Sequence, residues 1–142
     1  MNPWMALQKN YIMHKTYLII AAVLGILSVA IGAFGAHGVR SVVPPDVLEI
    51  YETGVRYQFY HVFALMAVGI LYAWAPHKFM SAAGLLFIIG IILFCGSLYL
   101  ITALKAGGKT VSPGIGIITP LGGLFLIAGW VVLLLGLIKM KS

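Results

Sequence analysis

The chain has 142 residues, 62% of them hydrophobic and 8% charged, with a formal net charge of +6. A soluble domain carries about 25% charged residues, and the longest connection between apolar stretches, His37 to Arg56, is too short to build one. The basic groups flank the apolar stretches and form no broad face, which excludes nucleic acid as a partner and leaves topology control and attraction to anionic headgroups as their roles.

Residues Met1–Ile12 read as an extension ahead of the basic start His14-Lys15, with Trp4 and Tyr11 as interfacial aromatics. The first charge-free stretch, Thr16–Ala36, is long enough to cross a bilayer, which takes about 20 apolar residues at 1.5 Å each. Its length exceeds the roughly 7–15 residues of a signal-peptide core, so it is expected to be retained as a span. Gly25, Ser28, Gly32, Gly35 and Ala36 place small residues at helical spacing along it. In lipid, close backbone approach takes over from the hydrophobic effect between helices, so this face is expected to pack against another span.

Next come His37-Gly38-Val39-Arg40 and Pro44-Pro45. Proline suits a first helical turn, and Asp46 and Glu49 suit the positive N-terminal end of a helix. Apolar Val47, Ile50, Tyr51, Gly54 and Val55 fall on one side, and Asp46, Glu49, Glu52 and Arg56 on another. That pattern predicts a short amphipathic helix over 44–53 lying at the membrane surface. Arg56 is read as a snorkelling side chain paired with Glu49 or Glu52, or as an anchor for a lipid phosphate.

The second span is expected at about 55–75. It opens on the polar and aromatic run Arg56-Tyr57-Gln58-Phe59-Tyr60-His61 and ends at Trp74-Ala75-Pro76-His77-Lys78. The third, about 79–103, carries Cys95-Gly96-Ser97-Leu98-Tyr99 and stops at Gly107-Gly108. The fourth charge-free stretch, Thr110–Ile138, is punctuated by Pro113, Gly114 and Gly116. Thr119-Pro120 reads as an N-cap followed by a proline in the first turn, which starts the fourth span near 119 and ends it near 138. Residues 112–118 are then expected as an apolar, non-helical loop tucked against the bundle. Gly122, Gly123 and Gly129 give this span its own close-approach face.

The fold class is therefore all-α: one transmembrane domain over 1–142, an integral membrane four-helix bundle. Even crossings put both termini on one side, with Lys9, Lys15, Lys78, Lys139 and Lys141, and the positive-inside rule makes that side cytoplasmic. The first and third connections share the other side. Near them lie the candidate polar residues His37, Arg40, Glu49, Glu52, Arg56, Gln58, Tyr60, His61, Tyr99 and Thr119. The expected packing positions are Gly25, Gly32, Gly35, Ala36, Gly96, Gly122 and Gly123.

Gln58 and His61 sit three apart on one helix face. The plain reading is a hydrogen-bond network tying span two to span one; the sharper readings are metal or haem ligation with His37, or proton and solute movement. Two histidines are too few for a closed zinc site, and no cofactor is assigned. No nucleophile–base–orienter set can be assembled: Cys95 is mid-span, and Gly114-Ile115-Gly116 lacks the lysine of a P-loop.

Four ordered motifs carry a resemblance. Gly32-Ala33-Phe34-Gly35-Ala36-His37-Gly38, Arg56-Tyr57-Gln58-Phe59-Tyr60-His61, Gly96-Ser97-Leu98-Tyr99, and Ile118-Thr119-Pro120-Leu121-Gly122-Gly123 with Gly129-Trp130 resemble the small four-span bacterial inner-membrane proteins of the YgdD/YwdK type. That family has mitochondrial relatives in animals. The resemblance covers about 16–138 and implies a polytopic plasma-membrane protein with no assigned activity, cofactor or catalytic residue. Two functions stay open: a structural or accessory bundle contacting membrane lipids, a membrane-protein partner or a second copy, and a binder or transporter of a small molecule, ion or metal. An enzyme acting on lipid ranks last.

Overall fold

The computed structural model of the protein describes residues 12–75 and 77–140. Residues 1–11 of the extension, with Trp4, Lys9 and Tyr11, and likewise Pro76 and Lys141, lie outside them. Among the described residues there are four long helices and no strand: α1 (Lys15–Phe34), α2 (Pro45–Leu71), α3 (His77–Ala106) and α4 (Pro113–Ile138), with a π-helical turn at Gly35–Val39 extending α1.

The ends follow from local chemistry. His14 caps α1, its Nδ1 accepting from the Tyr17 amide at 3.4 Å. Pro44 in extended conformation precedes Pro45, whose fixed φ suits a first turn, and Asp46 lies in that turn. The turn that closes α3 after Ala106 holds Gly108, whose φ of +67° allows the Lys109 amide to reach the Leu104 carbonyl (2.9 Å) and the Gly108 amide the Lys105 carbonyl (3.0 Å).

Two helix starts differ from the sequence expectation. The amphipathic segment 44–53 is helical, but it runs unbroken into the second expected span as one 27-residue helix. No proline separates the two, the lone Gly54 is tolerated within the helix, and Val47, Tyr51 and Gly54 bury the same face that Gln58, His61 and Leu65 continue. Likewise α4 starts at Pro113, not at Thr119, so 112–118 is not an irregular loop. Ser112 and Pro113 already provide the extended residue and first-turn proline that the sequence also offers at Thr119-Pro120. Pro120 then sits inside α4, where its missing amide cannot bond the carbonyl four residues back; lipid-embedded helices tolerate this.

Successive helices pack antiparallel. A Cβ placed on Gly25 would lie 3.6 Å from Val62, one on Gly32 3.3 Å from Val55, and one on Gly35 against the Tyr51 ring; the Gly69 position meets Leu18. Helix α2 thus descends along α1 over nearly its full length. Between α3 and α4 the contact is closer. Gly122, Leu126, Gly129, Leu133 and Gly136 are buried at alternating spacings of four and three, the seam of a coiled-coil-like pair. They face Phe94, Gly90, Phe87 and Met80 of α3. The main core gathers Ala64, Val68, Met80, Phe87, Ile91, Leu126 and Leu133.

Three of the described segments are long and apolar enough to cross a membrane: Lys15–Val39, His77–Ala106 and Pro113–Ile138. Helix α2 has the length, but Asp46, Glu49, Glu52 and Arg56 crowd its first half. The outer faces of the helices carry exposed Ile26, Val29, Phe63, Ile92, Leu124 and Ile127, as lipid-facing helices do.

A candidate polar site within the helix bundle

The buried polar side chains Gln58, His61 and Ser97 bond across helix–helix contacts. Gln58, on the buried face of α2, donates from Nε2 to the Leu24 carbonyl of α1 (3.2 Å) and accepts from the Tyr99 hydroxyl of α3 (2.9 Å). Ser28 Oγ donates to the same Leu24 carbonyl at 2.8 Å. One glutamine therefore clasps three helices. Tyr51, whose ring lies tilted against Tyr99 at 5.4 Å between centroids, donates to the Ile31 carbonyl at 2.7 Å. At the opposite end, the Tyr17 hydroxyl of α1 donates to the Ser81 carbonyl of α3.

His61 points the other way, toward α4. Its Nδ1 lies 2.7 Å from the Tyr57 carbonyl, and its Nε2 is 3.2 Å from Trp130 Nε1. A carbonyl only accepts and an indole N–H only donates, so the ring carries its proton on Nδ1 and accepts on Nε2. Both nitrogens of this neutral imidazole are occupied. Phe87 and Trp130 pack beside the ring, at 5.7 and 6.2 Å between centroids. Ser97 Oγ donates to the Phe94 carbonyl and shares a 2.7 Å hydrogen bond with Thr119 Oγ1, joining α3 to α4. Thr119 is therefore a mid-helix bridging residue. Among the described residues no buried side-chain nitrogen or oxygen lacks a partner.

The residues singled out from the sequence separate into groups. Gln58 and Tyr99 meet directly. His61 bonds Trp130, so of the expected pair it is Gln58 that ties α2 to α1. His37 is exposed on the π turn, and Arg40 follows it, exposed. Because Gly35 sits against Tyr51, His61 lies ten residues further along α2, about 15 Å along the axis. The two imidazoles do not share a site. Glu49, Glu52, Arg56 and Tyr60 are exposed, and Arg56 donates from Nη2 to Thr53 Oγ1 at 3.1 Å, not to a carboxylate. No group of three or more metal-ligating side chains converges among the described residues.

The glycines divide similarly. Gly25, Gly32, Gly35 and Gly122 sit in contacts, Gly123 touches Phe94 at ordinary distance, and Gly96 faces open space with Ala36 exposed. Gly90 and Gly136 are close-approach positions the sequence reading did not single out. The regular spacing of Gly122, Gly129 and Gly136 was the available signal. Trp130 was another, since an indole N–H within a span needs an acceptor.

A groove of about 390 Å³ opens beside His61, lined by Tyr57, Phe94, Gly123, Leu126, Ile127 and Trp130. Its walls are aromatic and aliphatic, and the His61 and Trp130 ring nitrogens beside it are already bonded to each other.

Long apolar helices, lipid-facing exteriors and a hydrogen-bonded polar interior define a small all-α integral membrane protein. Comparison with known proteins makes this specific. The family described as "Protein of unknown function (DUF423)" matches residues 31–123. The UPF0382 membrane protein YwdK of Bacillus subtilis is 36% identical over 88% of this chain and 98% of its own length. A UPF0382 membrane protein of Haemophilus influenzae is 38% identical over 92% of this chain and 99% of its own. One from Schizosaccharomyces pombe is 34% identical over 81% and 95%. The chain belongs to this uncharacterised membrane-protein family. No solved structure matches it.

Proposed function

We propose that the protein is a multi-pass accessory component of the bacterial plasma membrane, without enzymatic activity, which acts through its outer surface on lipid or on membrane-protein partners. The observation that carries this reading is the use of the polar groups at the helix contacts. Gln58, Tyr99, His61, Trp130, Ser97 and Thr119 hydrogen-bond one another or backbone across helix contacts. Such bonds hold helices together, at about 0.6–2 kcal/mol each. Four crossings are supported by α2, which keeps register with α1 from Tyr51–Gly35 to Gly69–Leu18 despite its charged first half. An even number of crossings puts both termini on the cytoplasmic side by the positive-inside rule.

The groove beside His61 favours a second reading, a binder of a small apolar molecule. Purification in native lipid with mass spectrometry and metal analysis separates the two. The accessory reading expects phospholipid and partner proteins only. A stoichiometric metal, or a small molecule lost on Trp130→Ala, would replace it with the second.

A further inference from the structure

The α1–α2 contact opens, at the end bearing the π turn, into a groove of about 190 Å³ lined by Gly32, Gly35, Tyr51, Glu52, Val55 and Arg56. Its depth follows from packing. Gly35 meets Tyr51 and Gly32 meets Val55, towards the end of the charge-free run of α1 and its π turn, which closes at Val39 before Arg40. Glu52 and Arg56 therefore stand where the apolar region gives way to headgroups, with small and aliphatic residues beneath them. The Tyr51 hydroxyl, bonded to the Ile31 carbonyl, fixes the two helices at this point.

Glu52 and Arg56 are one turn apart, in the order that favours an ion pair. They do not form one: Arg56 donates to Thr53, and Glu52 has no cation partner among the described residues. Both are exposed on the same groove. The Thr53 bond occupies one of the five donors of the guanidinium, whose planar fork suits a phosphate.

We propose that this groove is a lipid site selective for a zwitterionic phospholipid with a primary ammonium, as in phosphatidylethanolamine. The phosphate lies on Arg56, the ammonium on Glu52, and an acyl chain follows the Gly32–Val55 floor into the bilayer. Charge complementarity selects this occupant. Four residues of helix separate the two side chains by about 6 Å along the axis, a length comparable with the two-carbon link between ammonium and phosphate ester. A purely anionic headgroup would meet the Glu52 carboxylate. A quaternary ammonium has no N–H to give it. The site deepens the accessory reading by naming a lipid class, and rests on that reading's multi-pass arrangement.

The test uses the full-length chain, delipidated and then titrated with phosphatidylethanolamine, phosphatidylcholine or phosphatidylglycerol of identical acyl chains, read by native mass spectrometry. Retention of phosphatidylethanolamine about two- to fivefold above both others is expected, the scale of an exposed ion pair. Glu52→Gln should abolish the preference over phosphatidylglycerol, and Arg56→Gln should lower retention of all three. Both variants should unfold at the wild-type temperature, since both side chains are exposed. Equal retention of the three lipids by wild type, preference for the anionic lipid, or selectivity unchanged in both variants overturns the proposal. Those failures leave the accessory reading standing; a stoichiometric ligand in the groove beside His61 would do the reverse.

Discussion

Gly122 and Gly123 are neighbours in sequence with opposite roles, and substituting each by alanine separates them. A Cβ on Gly122 would lie 2.8 Å from the Leu93 carbonyl carbon and from Phe94 Cα, and nearer still to the Phe94 amide nitrogen. These are backbone atoms of a buried helix and cannot swing aside, so α3 and α4 must separate. A Cβ on Gly123 would lie 3.7 Å from the Phe94 ring, an ordinary contact. Alanine's helix-propensity advantage over glycine, up to about 1 kcal/mol, applies at both positions, so their difference isolates the steric term. Overpacking of this kind costs about 1–3 kcal/mol. Gly122→Ala is therefore expected to be less stable than Gly123→Ala by that amount, and Gly123→Ala to match or exceed wild type. Reversible unfolding in mixed micelles, titrated with a denaturing detergent, reads the difference. Equal stability of the two variants, or a more stable Gly122→Ala, would refute the assigned α3–α4 packing.

Trp130→Phe keeps most of the ring's packing but withdraws the donor from His61 Nε2, and should cost about 0.6–2 kcal/mol. Detergent unfolding of Trp130→Phe, His61→Phe and the double variant should show the double costing less than the two singles combined; strict additivity would mean the hydrogen bond carries no stability. In a Cys95→Ser background, cysteines at Arg40 and Lys109 should react with an impermeant reagent from the same compartment, because the first and third connections lie at one end of the bundle. Labelling from opposite compartments would remove the four-crossing arrangement.

Helix number and order were legible in the charge-free stretches, because in lipid the backbone must satisfy itself within each segment. Starts were less legible where two turn signals competed. Ser112-Pro113 and Thr119-Pro120 both read as caps, and nothing local says that the second lies inside a helix, with Thr119 bonded to Ser97. The charge pattern of 44–53 announced a surface helix, and the continuous burial of Val47, Tyr51, Gly54 and Gln58 joins it to the next span. Within the candidate site, Gln58 and His61 stood out as polar groups inside a span, but spacing does not assign partners. Both are buried on α2, yet Gln58 bonds α1 and α3 while His61 bonds α4. The exposed Gly96 shows the converse: a glycine in a span is not by itself a contact.

Whether polar side chains at the contacts hold these helices together is read from a double-mutant cycle on Gln58 and Tyr99 in lipid-reconstituted protein. With Gln58→Leu, Tyr99→Phe and the pair, the three-helix clasp predicts a coupling of about 0.6–2 kcal/mol. A coupling of zero, with each single variant as stable as wild type, would contradict it.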